Sequence, residues 1–417
     1  KCSKHGVWSF HHADYKVNRG LPAGFWEFLK GDSCTGITLQ ILNEELDNGK
    51  IIYQTFSSTN TNSVELNRNN YYKNSCKIID QSLSDLYEHG TDQFYKIAEH
   101  RNPKKLFYSN PLYKHPKNLD MIFGIGKRFI TKVTKKIIDQ FYIYQWSIAY
   151  CVNKNENAYS SSFYKYKNII PPKDRFWADP FVIKKNSKYY IYCEELLFNN
   201  NKGRIIFIEL DKKGRISAPK IVLEKDDCHL SYPFIFEDKN EYYMIPETNQ
   251  KNTIELYKCT KFPDKWELSH TLMNNVIAAD TTLFKLNNKF WLFTHLRKNN
   301  NSPRNEELYL FFGDSLYGEW TSHPLNPIMS DVRNSRPAGS IIRWNDKIIR
   351  AAQDCSIRYG YGIKLNEITE ITEKEYKEVF FQDILPNWKK EIYGVHTINS
   401  DKDITVIDCL IKRRKFF

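Results

Sequence analysis

From about residue 142 the chain alternates apolar and polar positions in short runs, the period-two pattern of half-buried strands. The runs come in pairs. "DPFVIKKNSKYYIYCEE" from Asp179, "YPFIFEDKNEYYMIPET" from Tyr232, "DTTLFKLNNKFWLFTHL" from Asp280, "AGSIIRWNDKIIRAAQD" from Ala338 and "GVHTINSDKDITVIDCL" from Gly394 share one layout. An apolar strand, a polar turn and a second aromatic or β-branched strand predict a hairpin in each. The hairpins recur about every fifty residues, and a third strand can be read after the first four, as in "GRIIFIELD" and "NTIELYKCT". Four strands per repeat point to a β-propeller. The fifth repeat ends after its second strand, whereas "QWSIAYCV", Gln145 to Val152, precedes the first and resembles a third strand. Pairing the two would close five blades over residues 142–417 without an open edge.

The N-terminal part is patterned differently. "GITLQILNEELDNGKIIYQTF", residues 36 to 56, holds two β-rich runs around an Asp47-Asn48-Gly49 turn. A helical pattern covers about 72 to 100, and a Pro- and Lys-rich linker follows to 118. Next, Ile122, Ile125, Phe129, Val133, Ile137 and Phe141 recur at helical spacing, with Lys127, Arg128, Lys132, Lys135 and Lys136 on other faces. Helix 119–141 is therefore either docked on its own protein or laid on an anionic membrane carrying a lipid-linked substrate. The division expected is 1–100, a linker with basic helix at 101–141, and 142–417.

Composition narrows the class. Hydrophobic residues make up 41% and aromatics 15% of 417 residues, which describes a folded chain of about two domains. Nine cysteines with no C-x-x-C pair suggest reduced thiols, and exclude a zinc site or a disulfide framework. The net charge of +12 would suit nucleic acid or an anionic membrane, but the lysines are dispersed among Asn-rich turns and match no nucleic-acid module. Nucleic acid is not expected. The chain shows no apolar leader and no run of eighteen apolar residues, so a cytoplasmic protein is expected, at most peripheral at the inner face of the membrane.

In a propeller the first strand of each blade lines the central funnel. Asp179, Tyr232, Asp280, Arg336 and His396 hold the equivalent positions, with Trp177, Glu195, Glu247 and Asp354 at nearby strand ends as further sugar contacts. Two aspartates, an arginine and a histidine around one funnel would form a strongly polar site. An Asp at a strand start can equally cap a turn. A lone funnel histidine is more often hydrogen-bonded than metal-bound, and no metal is expected.

"FWADPFVIKKNSKYYIYCEE" and "AADTTLFKLNNKFWLF" resemble the first and third blades of family 43 glycoside hydrolase-like propellers. That resemblance implies Asp179 as catalytic base and Asp280 as the carboxylate that tunes the acid. The family's general acid, a Glu in the fourth blade, has no counterpart, because "SRPAGSII" places Arg336 near that position. Hydrolysis by a carboxyl pair is then not expected, and Arg336 beside Asp179 would suit a phosphate or carboxylate on the substrate. "DRFWADPF", "HLSYPFIFE", "YYMIPET", "EWTSHPLNPI", "SRPAG" and "AAQDCS" together resemble the N-terminal domain of the plant glucosamine inositolphosphorylceramide transferases.

The opening segment "GVWSFHHADYKVNRG", followed by "TGITLQIL" and "LDNGKII", resembles the second half of methionyl-tRNA and sugar N-formyltransferase domains. The resemblance implies His11 and Asp47 as catalytic, Arg19-Gly20 and Thr35-Gly36 as turns, and Ser9 where the family has a carbonyl-polarising Asn. Ser9 and Arg19 would then contact substrate. The family's first strands and helices are not in this sequence, so 10-formyltetrahydrofolate is expected only for a longer parent chain. His11 and His12 can equally be packing histidines at a strand end.

The fold expected is mainly β, a five-bladed propeller preceded by the C-terminal part of an α/β formyltransferase-like domain. The function expected is a transferase of bacterial surface-glycan synthesis, acting on an amino sugar or on a nucleotide-, phosphate- or lipid-linked sugar. A non-catalytic carbohydrate-binding propeller and a family 43-type hydrolase are the alternatives.

Overall fold

The computed structural model describes residues 3–45, 47–101, 107–153, 159–297 and 305–415. Residues 102–106, where the linker was expected to begin, lie outside them. The chain is mainly β and divides into two compact units, one over residues 1–140 with 330–332 and 356–358, the other holding the remainder.

In the second unit the described residues form five antiparallel sheets. The first contains Arg175–Lys185, Lys188–Leu197, Lys202–Asp211 and Lys220–Leu223. The second runs from Ser231–Asp238 and Glu241–Glu247 to Lys265–Asn274, the third opens with Ile277–Leu286 and Lys289–Arg297, and the fourth with Ile342–Trp344 and Lys347–Asp354. In the fifth, Ile404–Arg414 pairs along its length with Tyr142–Val152, from Ile404 opposite Val152 to Arg414 opposite Tyr142. The two ends of this unit thus lie in one sheet.

Local chemistry explains the hairpins. Asn186-Ser187, Lys239-Asn240, Asn287-Asn288 and Asn345-Asp346 all have positive φ at both turn positions, as two-residue turns matched to strand twist require. Asn and Asp tolerate that backbone region better than most residues. Between the sheets sit clusters of β-branched and aromatic side chains, for example Ile148, Ile191, Ile206, Ile208, Ile404 and Val406.

Each of the first three sheets carries one irregularity in its opening strand. Pairing slips between Ala178 and Phe181, between Ser231 and Phe234, and between Ala279 and Thr282. At each slip one residue takes a positive φ: Asp179 (51°), Tyr232 (43°) and Asp280 (52°). A bulge of this kind re-aims a side chain. The kinked strands touch one another, since Arg175–Lys185 contacts both Ser231–Asp238 and Ile398–Asp401, and Ser231–Asp238 contacts Ile277–Leu286.

The first unit has a sheet of Trp8–His11, Cys34–Ile41 and Lys50–Ser58, all antiparallel. Ile37, Leu39, Ile52 and Tyr53 of the sheet pack with Tyr71, Ile78 and Phe94 of the helix Val64–Arg101. That helix starts earlier than the pattern suggested and is interrupted at Gly90, whose φ of 73° and ψ of 169° are non-helical. The basic helix spans Asn118–Phe141.

Candidate functional site

The kinks deliver two linked clusters in the second unit. In the first, His396 stands between two carboxylates, with Nδ1 2.6 Å from Asp408 Oδ2 and Nε2 3.3 Å from Asp179 Oδ1. Asp408 Oδ1 accepts the backbone N–H groups of His396 and Thr397 at 2.8 and 3.1 Å, and its Oδ2 accepts that of Asp179 at 3.1 Å. Asp179 Oδ1 also accepts from Thr397 Oγ1 at 2.6 Å. Burial disfavours a charged imidazole, yet Asp408 and Asp179 raise its pKa to about 9, so it is cationic near neutrality. Burial pushes the Asp179 carboxyl up to about 7 against the pull of His396.

The donor atoms of Asp179, His396 and Asp408 lie within 4.8 Å of one another, close enough to hold a metal ion. The imidazolium already supplies the positive charge that the two carboxylates call for, and a protonated ring has no lone pair to ligate with.

The second cluster centres on Arg336. Its Nε donates to Asp280 Oδ2, its Nη2 to Asp280 Oδ1 at 3.3 Å and to Glu247 Oε2 at 3.5 Å, and its Nη1 to Asn305 Oδ1 at 2.7 Å. Gln353 Nε2 donates to Asp280 Oδ2 at 2.7 Å. Sequence reasoning set Arg336 beside Asp179. The structure pairs it with Asp280 instead, because the third sheet's kink turns that carboxylate towards the fourth sheet. Burial and the Asp280 carboxylate push Glu247 up to about 8, against Arg336. Tyr359 joins the clusters, its ring centre 5.1 Å from the Arg336 guanidinium and 5.3 Å from the His396 ring, which Trp146 covers at 4.1 Å.

A cavity of about 580 Å³ opens over the second cluster, lined by Glu247, Arg336, Tyr359, His229, His295 and Asn305 among others. Its size fits a sugar or small glycan. His229 Nδ1 accepts the Gly203 N–H at 2.9 Å, which leaves Nε2–H to donate to Glu194 Oε1 at 2.9 Å.

The candidates from sequence separate into groups. Asp179 and His396 form one cluster, and Asp280, Arg336 and Glu247 the other. Tyr232 is fully buried, its hydroxyl 2.8 Å from Thr282 Oγ1 and accepting the Gly339 N–H at 2.7 Å. Glu195 is saturated elsewhere, accepting from Trp177 Nε1 at 3.0 Å, Arg175 Nη1 at 3.1 Å and Arg204 Nε at 2.9 Å. Asp354 is buried at the end of its strand. The sequence pattern does not single out His229, His295, Asn305, Tyr359 or Asp408, nor Glu194 over its neighbour Glu195. A register was available. Glu194, Glu247, His295 and Gln353 are each the seventh residue of their sheet's second strand, and neighbours on a strand face opposite ways.

In the first unit, His11 Nδ1 lies 3.1 Å from Asp47 Oδ1, and His11 Nε2 lies 2.8 Å from the Asn18 carbonyl. Gly20 N–H donates to Asp47 Oδ2 at 3.3 Å, and Arg19 binds Tyr15 O and Asn48 Oδ1 while stacking 4.4 Å from the Tyr108 ring centre. Both His11 nitrogens face oxygen acceptors. Ser9 lies opposite Gln40 in the sheet. Burial, with His11 adding to it, lowers His12 to about 4, and its ring lies 4.5 Å from Tyr71.

Residues 165–402, which carry nearly all of these second-unit groups, match the family described as glucosamine inositolphosphorylceramide transferase 1, N-terminal. The chain belongs to that family. The Oryza sativa subsp. japonica protein named glucosamine inositolphosphorylceramide transferase 1 is 32% identical over 232 residues, 55% of this chain and 29% of that protein. The Arabidopsis thaliana protein of the same name is 28% identical over 206 residues, 49% of this chain and 27% of its own length. The chain thus aligns with under a third of the length of these transferases. Similar solved structures include Zg3597, a family 117 glycoside hydrolase of Zobellia galactanivorans, with a TM-score of 0.41 and 13% identity over 64% of this chain and 90% of that one. CoXyl43, a family 43 β-xylosidase/α-arabinofuranosidase from a compost metagenome, gives 0.42 and 10% over 58% and 92%.

Proposed function

We propose that the second unit is a closed five-bladed ring whose cavity binds the sugar-bearing substrate of a glycosyl transfer reaction. The observation that carries this reading is the polar cavity of about 580 Å³ over Arg336 and Glu247. The transferase names of its plant relatives support the reaction class, with glucosamine or another amino sugar as the group handled and a lipid- or phosphate-linked partner in surface-glycan assembly. Glu247 is mostly protonated near neutrality and opens on the cavity, so it can give a proton to the oxygen leaving the anomeric carbon. Asp280 and Arg336 hold the charge around it in place.

Calorimetry with glucosamine-bearing glycans and a transfer assay test this reading. Arg336→Met should weaken binding at least tenfold, whereas Glu247→Gln should bind normally and lose turnover. Unchanged binding in both variants would remove the cavity from the reaction. Full turnover in Glu247→Gln would remove Glu247 as the proton donor.

A second reading concerns the first unit, where the 3.1 Å His11–Asp47 pair is the observation that favours a formyltransferase-like site. Formyl transfer to an amino sugar by a longer parent chain should then fall at least a hundredfold in Asp47→Asn. Undiminished transfer would leave the pair a structural one.

A further inference from the structure

The helix Asn118–Phe141 docks on its own unit through its polar side. An added Cβ on Gly124 would lie 2.1 Å from Leu29 Cδ1, Arg128 stacks 4.7 Å from the Phe28 ring centre, and Lys132 Nζ donates to Asn62 O at 3.2 Å. At roughly 100° per residue these three positions share one side of the helix. Ile122, Phe123, Phe129, Ile130, Val133 and Ile137 occupy an arc of about 120° pointing away from it. Ile122 is 65% exposed, Phe123 72% and Phe129 66%, and no residue of the helix is buried. A water-facing helix normally buries its apolar stripe and exposes its charges. Here the apolar stripe itself faces solvent, and its large side chains would gain free energy from burial.

We propose that this helix lies flat on an anionic lipid surface, with its apolar arc in the acyl boundary and Lys127 and Lys136, at the two rims of the arc, level with the lipid phosphates. Charge decides the occupant. Two copies packed over this arc would set their lysine rims against each other, a like-charge juxtaposition that opposes pairing, whereas anionic headgroups neutralise both rims. Among the described residues no helix is long and apolar enough to cross a membrane, so the contact is along the surface. Nothing here depends on the sugar cavity, and either proposal can fail without the other.

The test is sedimentation of the full chain with vesicles of phosphatidylcholine alone or mixed with phosphatidylserine. The chain should pellet with the mixed vesicles, less so as salt screens the lysines. Lys127→Ser and Lys136→Ser should each weaken binding roughly fivefold, and Ile122→Asp with Phe129→Asp should abolish it while circular dichroism stays unchanged, since these positions are exposed. Failure to pellet with either vesicle overturns the proposal, as does undiminished pelleting of the double aspartate variant. A solution dimer that the aspartates dissociate would assign the arc to a second copy instead.

Discussion

Arg336 grips Asp280 through two guanidinium nitrogens, Nε and Nη2, while the same Nη2 reaches Glu247 at 3.5 Å. Removing one partner of a buried pair strands the other charge. Asp280→Ala should cost about 3–5 kcal/mol of stability, read as a lowered midpoint in denaturant with an unchanged slope. A loss below about 1 kcal/mol would mean that water or Glu247 already neutralises Arg336.

His396 should make the second unit alkali-sensitive. Its folded pKa, about 9, lies above the ordinary value of 6.5, so folding takes up a proton between them. The stabilisation is fully present below about 6.5 and is lost as pH rises through 9. The melting temperature should fall across that window, and the fall should be shallower in His396→Gln, where the raised Glu247 carboxyl still titrates. A flat profile in the parent chain would mean that the ring is neutral.

Turnover should report Glu247 separately. With the carboxyl raised to about 8, the protonated form needed for donation drains away above that pH. Turnover should drop tenfold per pH unit beyond it while sugar affinity holds. A descending limb near 5 would assign the titration to an ordinary carboxylate.

Tyr232→Phe should destabilise by about 1–3 kcal/mol, because the buried Gly339 N–H loses its acceptor. Sugar affinity should not change, since the ring is fully buried. A selective loss of affinity would instead make Tyr232 a sugar contact.

The sequence shows the hairpins clearly because each is local. Alternation sets the strands, and Asn-rich pairs such as Asn287-Asn288 supply the turn backbone within a few residues. Asp179, Asp280 and His396 stand out for the same reason, at strand starts within repeats. Partner choice is non-local. Arg336 is 56 residues from Asp280 in the chain, and only the turn of a kinked strand decides which of two aspartates it meets. Asp408 was hidden in an apolar run, "TVIDCL", where its burial beside His396 could not be read from pattern. Glu194 and Glu195 look alike in sequence, although adjacent strand residues face opposite ways. The pairing of Tyr142–Val152 with Ile404–Arg414 is easier to read, because an unpaired third-strand pattern before the first repeat demands a partner.

The matched kinks at Asp179, Tyr232 and Asp280 give the second unit interchangeable sockets. The backbone re-aims whichever side chain occupies that place, and here two sockets carry an acid and one a phenol. A left-handed kink at a non-glycine residue is strained by about 1–3 kcal/mol, and it recurs in three sheets whatever the side chain, so it is a property of the scaffold. New chemistry in such a fold can therefore arise by single substitutions at a socket, with no change to the strands that carry it.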